Sequence, residues 1–89
     1  MEAPRLYVED RVELCDGHSD YGTSILYSEC GGSRTEIFRT RYETNRMNEQ
    51  TEGILSFTLD RREEEWVVTI LLLDGGKESL ASRDGRLWR

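Results

Sequence analysis

Trp66-Val-Val-Thr-Ile-Leu-Leu-Leu73 decides how the chain folds, because it is the one run apolar enough to read as a strand buried on both faces. Side chains alternate along a strand, so Trp66, Val68, Ile70 and Leu72 point one way and Val67, Thr69, Leu71 and Leu73 the other. A helix is disfavoured: the run is short, holds three consecutive β-branched residues (Val67, Val68, Thr69) and is closed by the turn former Asp74-Gly75-Gly76. A membrane-spanning helix would need about 20 apolar residues. A strand with two apolar faces needs a cover on each. One is the domain core; the other is a second layer, the amino-terminal segment or another copy of the chain.

Working outward, Ile54–Asp60 alternates as the preceding strand, with Leu55, Phe57 and Leu59 inward and Ser56 and Thr58 outward. Arg61-Arg62-Glu63-Glu64-Glu65 turns it into the central run. Beyond Gly76, a short strand at 78–82 meets 86–89 across Arg83-Asp84-Gly85, Asp-Gly being a strong hairpin signal. Upstream, Thr23–Cys30 and Arg34–Thr44 read as strands joined by Gly31-Gly32-Ser33, with paired glycines supplying the positive φ of a tight turn. Residues 45–53 form the longest polar connection, with room for a helical turn. Residues 5–14 place Leu6, Val8, Val12 and Leu14 on one face, broken by Asp10. A short helix from Pro4 to Asp16 competes there, since Pro near the start and Gly17 after the end are helix punctuation.

The expected fold is therefore all-β, six to seven short, mostly hairpin-connected antiparallel strands in a small barrel or two-layer sandwich. An α+β variant with one short helix is the alternative. At 89 residues the chain is one domain, 1–89, with a modest core. Residues 1–5, Met-Glu-Ala-Pro-Arg, open no basic and apolar leader, which places the protein in the cytoplasm. Cys15 and Cys30, at opposite ends of a hairpin, read as reduced thiols.

The formal net charge is −6, and its layout is uneven: −5 over residues 1–30, +1 over 31–50, −4 over 51–75 and +2 over 76–89. An acidic domain repels polyanions, so direct nucleic-acid binding is not expected. Arg83, Arg86, Arg89 and Trp88, extended by Arg34, Arg39, Arg41 and Arg46, are nevertheless the best candidates for phosphate contact and base stacking. The more ordinary reading packs Trp88 on the sheet and pairs the arginines with neighbouring acids.

No catalytic, cofactor or metal signature stands out. Asp16-x-His18-x-Asp20 beside Cys15 lacks the paired Cys/His spacing of zinc and the oxygen spacing of an EF-hand, and reads as a turn capped by Asp side chains. His18 is the only histidine, so Cys15 has no announced base and orienting group. Gly75-Gly76-Lys77 lacks the spacing of a phosphate loop.

What remains is charge. Glu9, Asp10 and Glu13, with Glu63, Glu64 and Glu65, would form one acidic face if the first strand lies near the turn after Asp60. Such a face attracts a partner with a basic surface. The function expected is a non-enzymatic binding module: an inhibitor whose carboxylates mimic phosphate charge on a nucleic-acid-handling protein. Compact phage or mobile-element accessory proteins, anti-CRISPR proteins among them, are of this class. The alternatives are a homo-oligomeric structural or adaptor module, such as a homodimer, using the second apolar face of 66–73, and a small ligand-binding β-barrel. No cofactor, metal or membrane is implied.

Overall fold

A computed structural model describes residues 3–89. Residues 1 and 2, on which part of the leader reading rests, lie outside the described residues. Among the described residues seven strands form: β1 (Arg5–Cys15), β2 (Asp20–Cys30), β3 (Ser33–Thr44), β4 (Gln50–Glu52), β5 (Ile54–Arg62), β6 (Glu65–Leu72) and β7 (Lys77–Ser82). Sequence neighbours pair antiparallel throughout, giving a four-stranded sheet in the order β1-β2-β3-β4 and a three-stranded sheet in the order β5-β6-β7. The sheets face one another as a sandwich and do not close into a barrel. Among the described residues no helix is long and apolar enough to cross a membrane.

Turn chemistry sets the hairpins. Gly31 (φ 62°) and Gly32 (φ 82°) make the two-residue link from β2 to β3 that L-residues would resist. In the β1–β2 turn Asp16 Oδ1 accepts the backbone N–H groups of His18 and Ser19, each at 2.8 Å. Asn45 Oδ1 does the same for Met47 (2.9 Å) and Glu49 (3.0 Å), which orders 45–49 as a tight link into β4 and not as a helical turn. Residues 5–15 are strand throughout: every residue from Arg5 to Val12 lies opposite a β2 partner, and that pairing outweighs the helix punctuation around it.

The core lies between the sheets. Leu26, Ile54, Val68 and Ile70 are buried at its centre, and Leu6, Val8, Phe38, Phe57, Leu59, Leu72, Leu80 and Trp88 pack around them. Trp66, Val68, Ile70 and Leu72 thus form the inner face of β6, while on the outer face Leu71 remains 39% exposed. The strand buried on both faces is β2, whose run Ser24-Ile25-Leu26-Tyr27-Ser28 is buried throughout. Two of its serines tie the layers together. Ile54 N donates to Ser24 Oγ (3.2 Å), and Ser28 Oγ donates to the Gly85 carbonyl (2.9 Å).

Two local expectations change. A bulge between Ile54 and Ser56 rotates Leu55 outward, 60% exposed, so the inward residues of β5 are Ile54, Phe57 and Leu59. After β7 no second strand forms. Asp84 Oδ1 accepts the N–H groups of Arg86 (2.9 Å) and Leu87 (3.0 Å), making a wider loop that returns only to pair Arg89 with Ala81.

Candidate functional site

Alternation along β1 separates the acids of its run. Glu9 points to the outer face of the four-stranded sheet, where its carboxylate takes Arg11 Nε at 3.0 Å and Arg34 Nη1 at 3.1 Å. Asp10 points to the inner side and accepts Ser24 Oγ at 2.6 Å, extending the chain of hydrogen bonds that ends at Ile54 N. Glu13 sits at a β1 bulge and accepts Thr23 Oγ1 at 2.6 Å.

Glu63 and Glu64 form the exposed tip of the β5–β6 hairpin, and Glu65 opens β6 with its carboxylate 3.9 Å from Arg83 Nε. Asp10 connects through Ser24 to Ile54, the start of β5, whereas Glu63 follows the end of that strand, roughly 30 Å away at the usual rise. The molecule is only 46 Å long. The two acidic groups therefore stand apart and form no single face.

Much of the remaining charge is neutralised internally. Arg39 Nε donates to Glu36 at 2.7 Å, and Arg41 lies 3.6 Å from both Glu43 and Glu52. Tyr27, on the outer face of β2, is covered by basic side chains: Arg34 stacks 4.2 Å from its ring centre and Arg11 Nη2 donates to its hydroxyl at 2.6 Å. Tyr7 leans on the same ring at 5.5 Å. This Tyr–Arg–Glu lattice went unread in the sequence, although Tyr7, Glu9 and Arg11 at every second position mark one strand face.

The other candidates resolve into structure. Trp88 packs on the core and donates Nε1–H to the Gly85 carbonyl at 3.1 Å, so its ring is no open stacking platform. Among the described residues no group of three or more His, Cys, Asp or Glu is placed to hold a metal. Cys15 lies opposite Asp20 and Cys30 opposite Ser33, at the two ends of β2, and both are free thiols. Ten residues of strand, roughly 33 Å, separate those ends.

The β5–β6 turn differs from its surroundings. Glu63 holds φ at 51°, a left-handed conformation that costs a non-glycine residue about 1–2 kcal/mol. Nearby, Trp66 Nε1 is buried with no hydrogen-bond partner among the described residues, while Arg61 stacks 4.8 Å from its ring centre. Arg62, Glu63, Glu64, Glu65, Val67 and Arg83 line a surface cleft of about 610 Å³ beside the tip.

Four carboxyls are held below their ordinary range: Glu9 by Arg11 and then Arg34, Glu36 by Arg39, Asp16 by the N–H groups of Ser19 and His18, and Asp84 by those of Leu87 and Arg86. Each therefore favours the folded state when ionised. That contribution is present above the unfolded carboxylate range and is lost as pH falls through the lowered folded values. The melting temperature is expected to hold near neutrality and to drop as pH is lowered from about 5 to 3. A profile flat across that interval would show that these contacts contribute nothing in solution. Compared with known families, curated proteins and solved structures, the chain matches none of them.

Proposed function

We propose that the chain is a small non-enzymatic protein-binding module that engages a basic partner surface through Glu63, Glu64 and Glu65. The observation supporting this reading is that the two locally costly features near this hairpin, left-handed Glu63 and the partnerless Trp66 indole, coincide with three consecutive acids, two of them at the exposed tip. Strain of that kind clusters at sites where geometry serves recognition. Glu9 and Glu36 are held by arginines of the same chain and Glu65 lies near Arg83, whereas Glu63 and Glu64 have no ion-pair partner among the described residues. Carboxylates presented this way would occupy partner Arg and Lys side chains that otherwise take phosphate, which is how an inhibitor of a nucleic-acid-handling protein would act.

The test begins with affinity capture from the native host and proceeds to Kd against salt for the captured protein. A basic nucleic-acid-handling partner is expected, with affinity falling at least tenfold between about 50 and 300 mM salt. Glu63→Gln/Glu64→Gln/Glu65→Gln should remove most of that salt dependence. Binding indifferent to salt would sink the reading. A second reading, the homo-oligomer or adaptor that docks through the outer face of β6, draws on Leu71 at 39% exposure on that face and on Leu55, 60% exposed at the bulge of neighbouring β5.

A further inference from the structure

We infer that the free edge of β1 pairs with the same edge of a second copy, antiparallel, with Tyr7 on the two-fold axis. β1 ends its sheet, and among the described residues its backbone partner is β2 alone. Eleven residues make a long edge, and long exposed edges invite pairing unless they are blocked. The bulge between Val12 and Leu14 blocks the far end. From Arg5 to Glu9 the strand is regular, with neither proline nor lysine.

The choice of partner rests on complementarity. Two copies keep their inner faces on the same side only when residues of like facing meet, which leaves few registers. With Tyr7 opposite its own copy, Leu6 meets Val8 on the inner face and Arg5 meets Glu9 on the outer, each twice by symmetry. Sliding the axis to Val8 sets Arg5 against Arg11 and Leu6 against Asp10. An axis at Glu9 opposes two glutamates and sets Val8 against Asp10; one at Asp10 opposes two aspartates and brings in the bulge. An axis at Leu6 draws Pro4, which has no N–H, into the ladder. The Tyr7 register is free of conflict from Arg5 to Glu9, and Pro4 meets Asp10 only beyond that paired stretch. It pairs Arg5, which has no ion-pair partner among the described residues, with a carboxylate already facing outward, and it covers the half-exposed flanks of Leu6 and Val8. A β-sheet then runs unbroken through eight strands. This interface is separate from the β5–β6 turn and does not rest on the function proposed for it.

The test uses the full chain with Cys15→Ser and Cys30→Ser. Directly opposed residues have Cα atoms about 4.5–5.5 Å apart, within disulfide reach. Under mild oxidation Tyr7→Cys is expected to convert most of the chain to covalent dimer. Glu9→Cys, whose two copies lie four positions apart, roughly 13 Å, is expected to stay monomeric. Mixing Arg5→Cys with Glu9→Cys chains should give the mixed disulfide and leaves Tyr7 in place, which answers the case in which Tyr7→Cys does not fold. Sedimentation equilibrium of the unmodified protein should show mass rising toward that of a dimer with concentration. A monomer up to millimolar concentration, or cross-linking that is better at Glu9→Cys or at Thr58→Cys on the β5 edge, overturns the inference.

Discussion

Gly22→Ala is expected to cost about 3 kcal/mol, a large share of the 5–13 kcal/mol usual for a chain of this length. Gly22 lies on β2 opposite Val12, where β1 carries an extra residue at its bulge. A Cβ at this position would run into the Arg11 carbonyl oxygen, stand 2.7 Å from the Arg11 carbonyl carbon and 3.1 Å from Glu13 N. All three are backbone atoms, so no rotamer change relieves them. The least costly response is for the end of β1 to lift away, since Val12 (52% exposed) and Leu14 (62%) bury little that would hold it. Urea unfolding should give the loss in stability, and amide exchange should place the lost protection between Val12 and Cys15. Gly17→Ala is the control: nothing lies within 4 Å of its Cβ and only the φ of 89° is strained, a penalty of about 1 kcal/mol. Equal costs at the two glycines would mean that β1 does not approach β2 this closely in solution.

The strands could be read from alternation and the turns from Gly, Asn and Asp, because both are local properties. Double burial falls on β2 and not on β6 for a physical reason. The outer face of β2 is sealed by the stems and guanidinium groups of Arg11 and Arg34 over Tyr27, and arginine counts as polar in any sequence reading although its stem covers apolar surface. The position of Leu55 was hidden because a bulge next to Gly53, at φ 140°, shifts the alternation by one. The separation of Glu9 from Asp10 follows from strand period alone. The distance from Asp10 to Glu63 does not, since it depends on which end of one sheet meets which end of the other. That is set by Ser24 bonding Ile54 and Ser28 bonding Gly85, two long-range contacts that no local pattern announces.

In the stretch that decides the fold, neighbouring residues should respond in opposite ways. Ile70 is fully buried on the inner face of β6, so Ile70→Ala removes three methyl or methylene groups and leaves a cavity, an expected cost of about 3–4 kcal/mol. In a domain this small that is a fall of at least about 12 °C in melting temperature. Leu71, one residue on, faces outward at 39% exposure, and Leu71→Ala should cost less than about 1 kcal/mol. Chemical unfolding of both variants at several protein concentrations makes the comparison decisive. If the Leu71→Ala cost is small at every concentration, the outer face of β6 is a plain solvated surface. If that cost approaches the cost at Ile70 and grows with protein concentration, the face is covered by another copy, because only an association that favours the folded state makes stability depend on concentration. In the second case Val67, Leu71 and the outward Leu55 belong to an interface, and the second cover required by the apolar run is supplied from outside the chain.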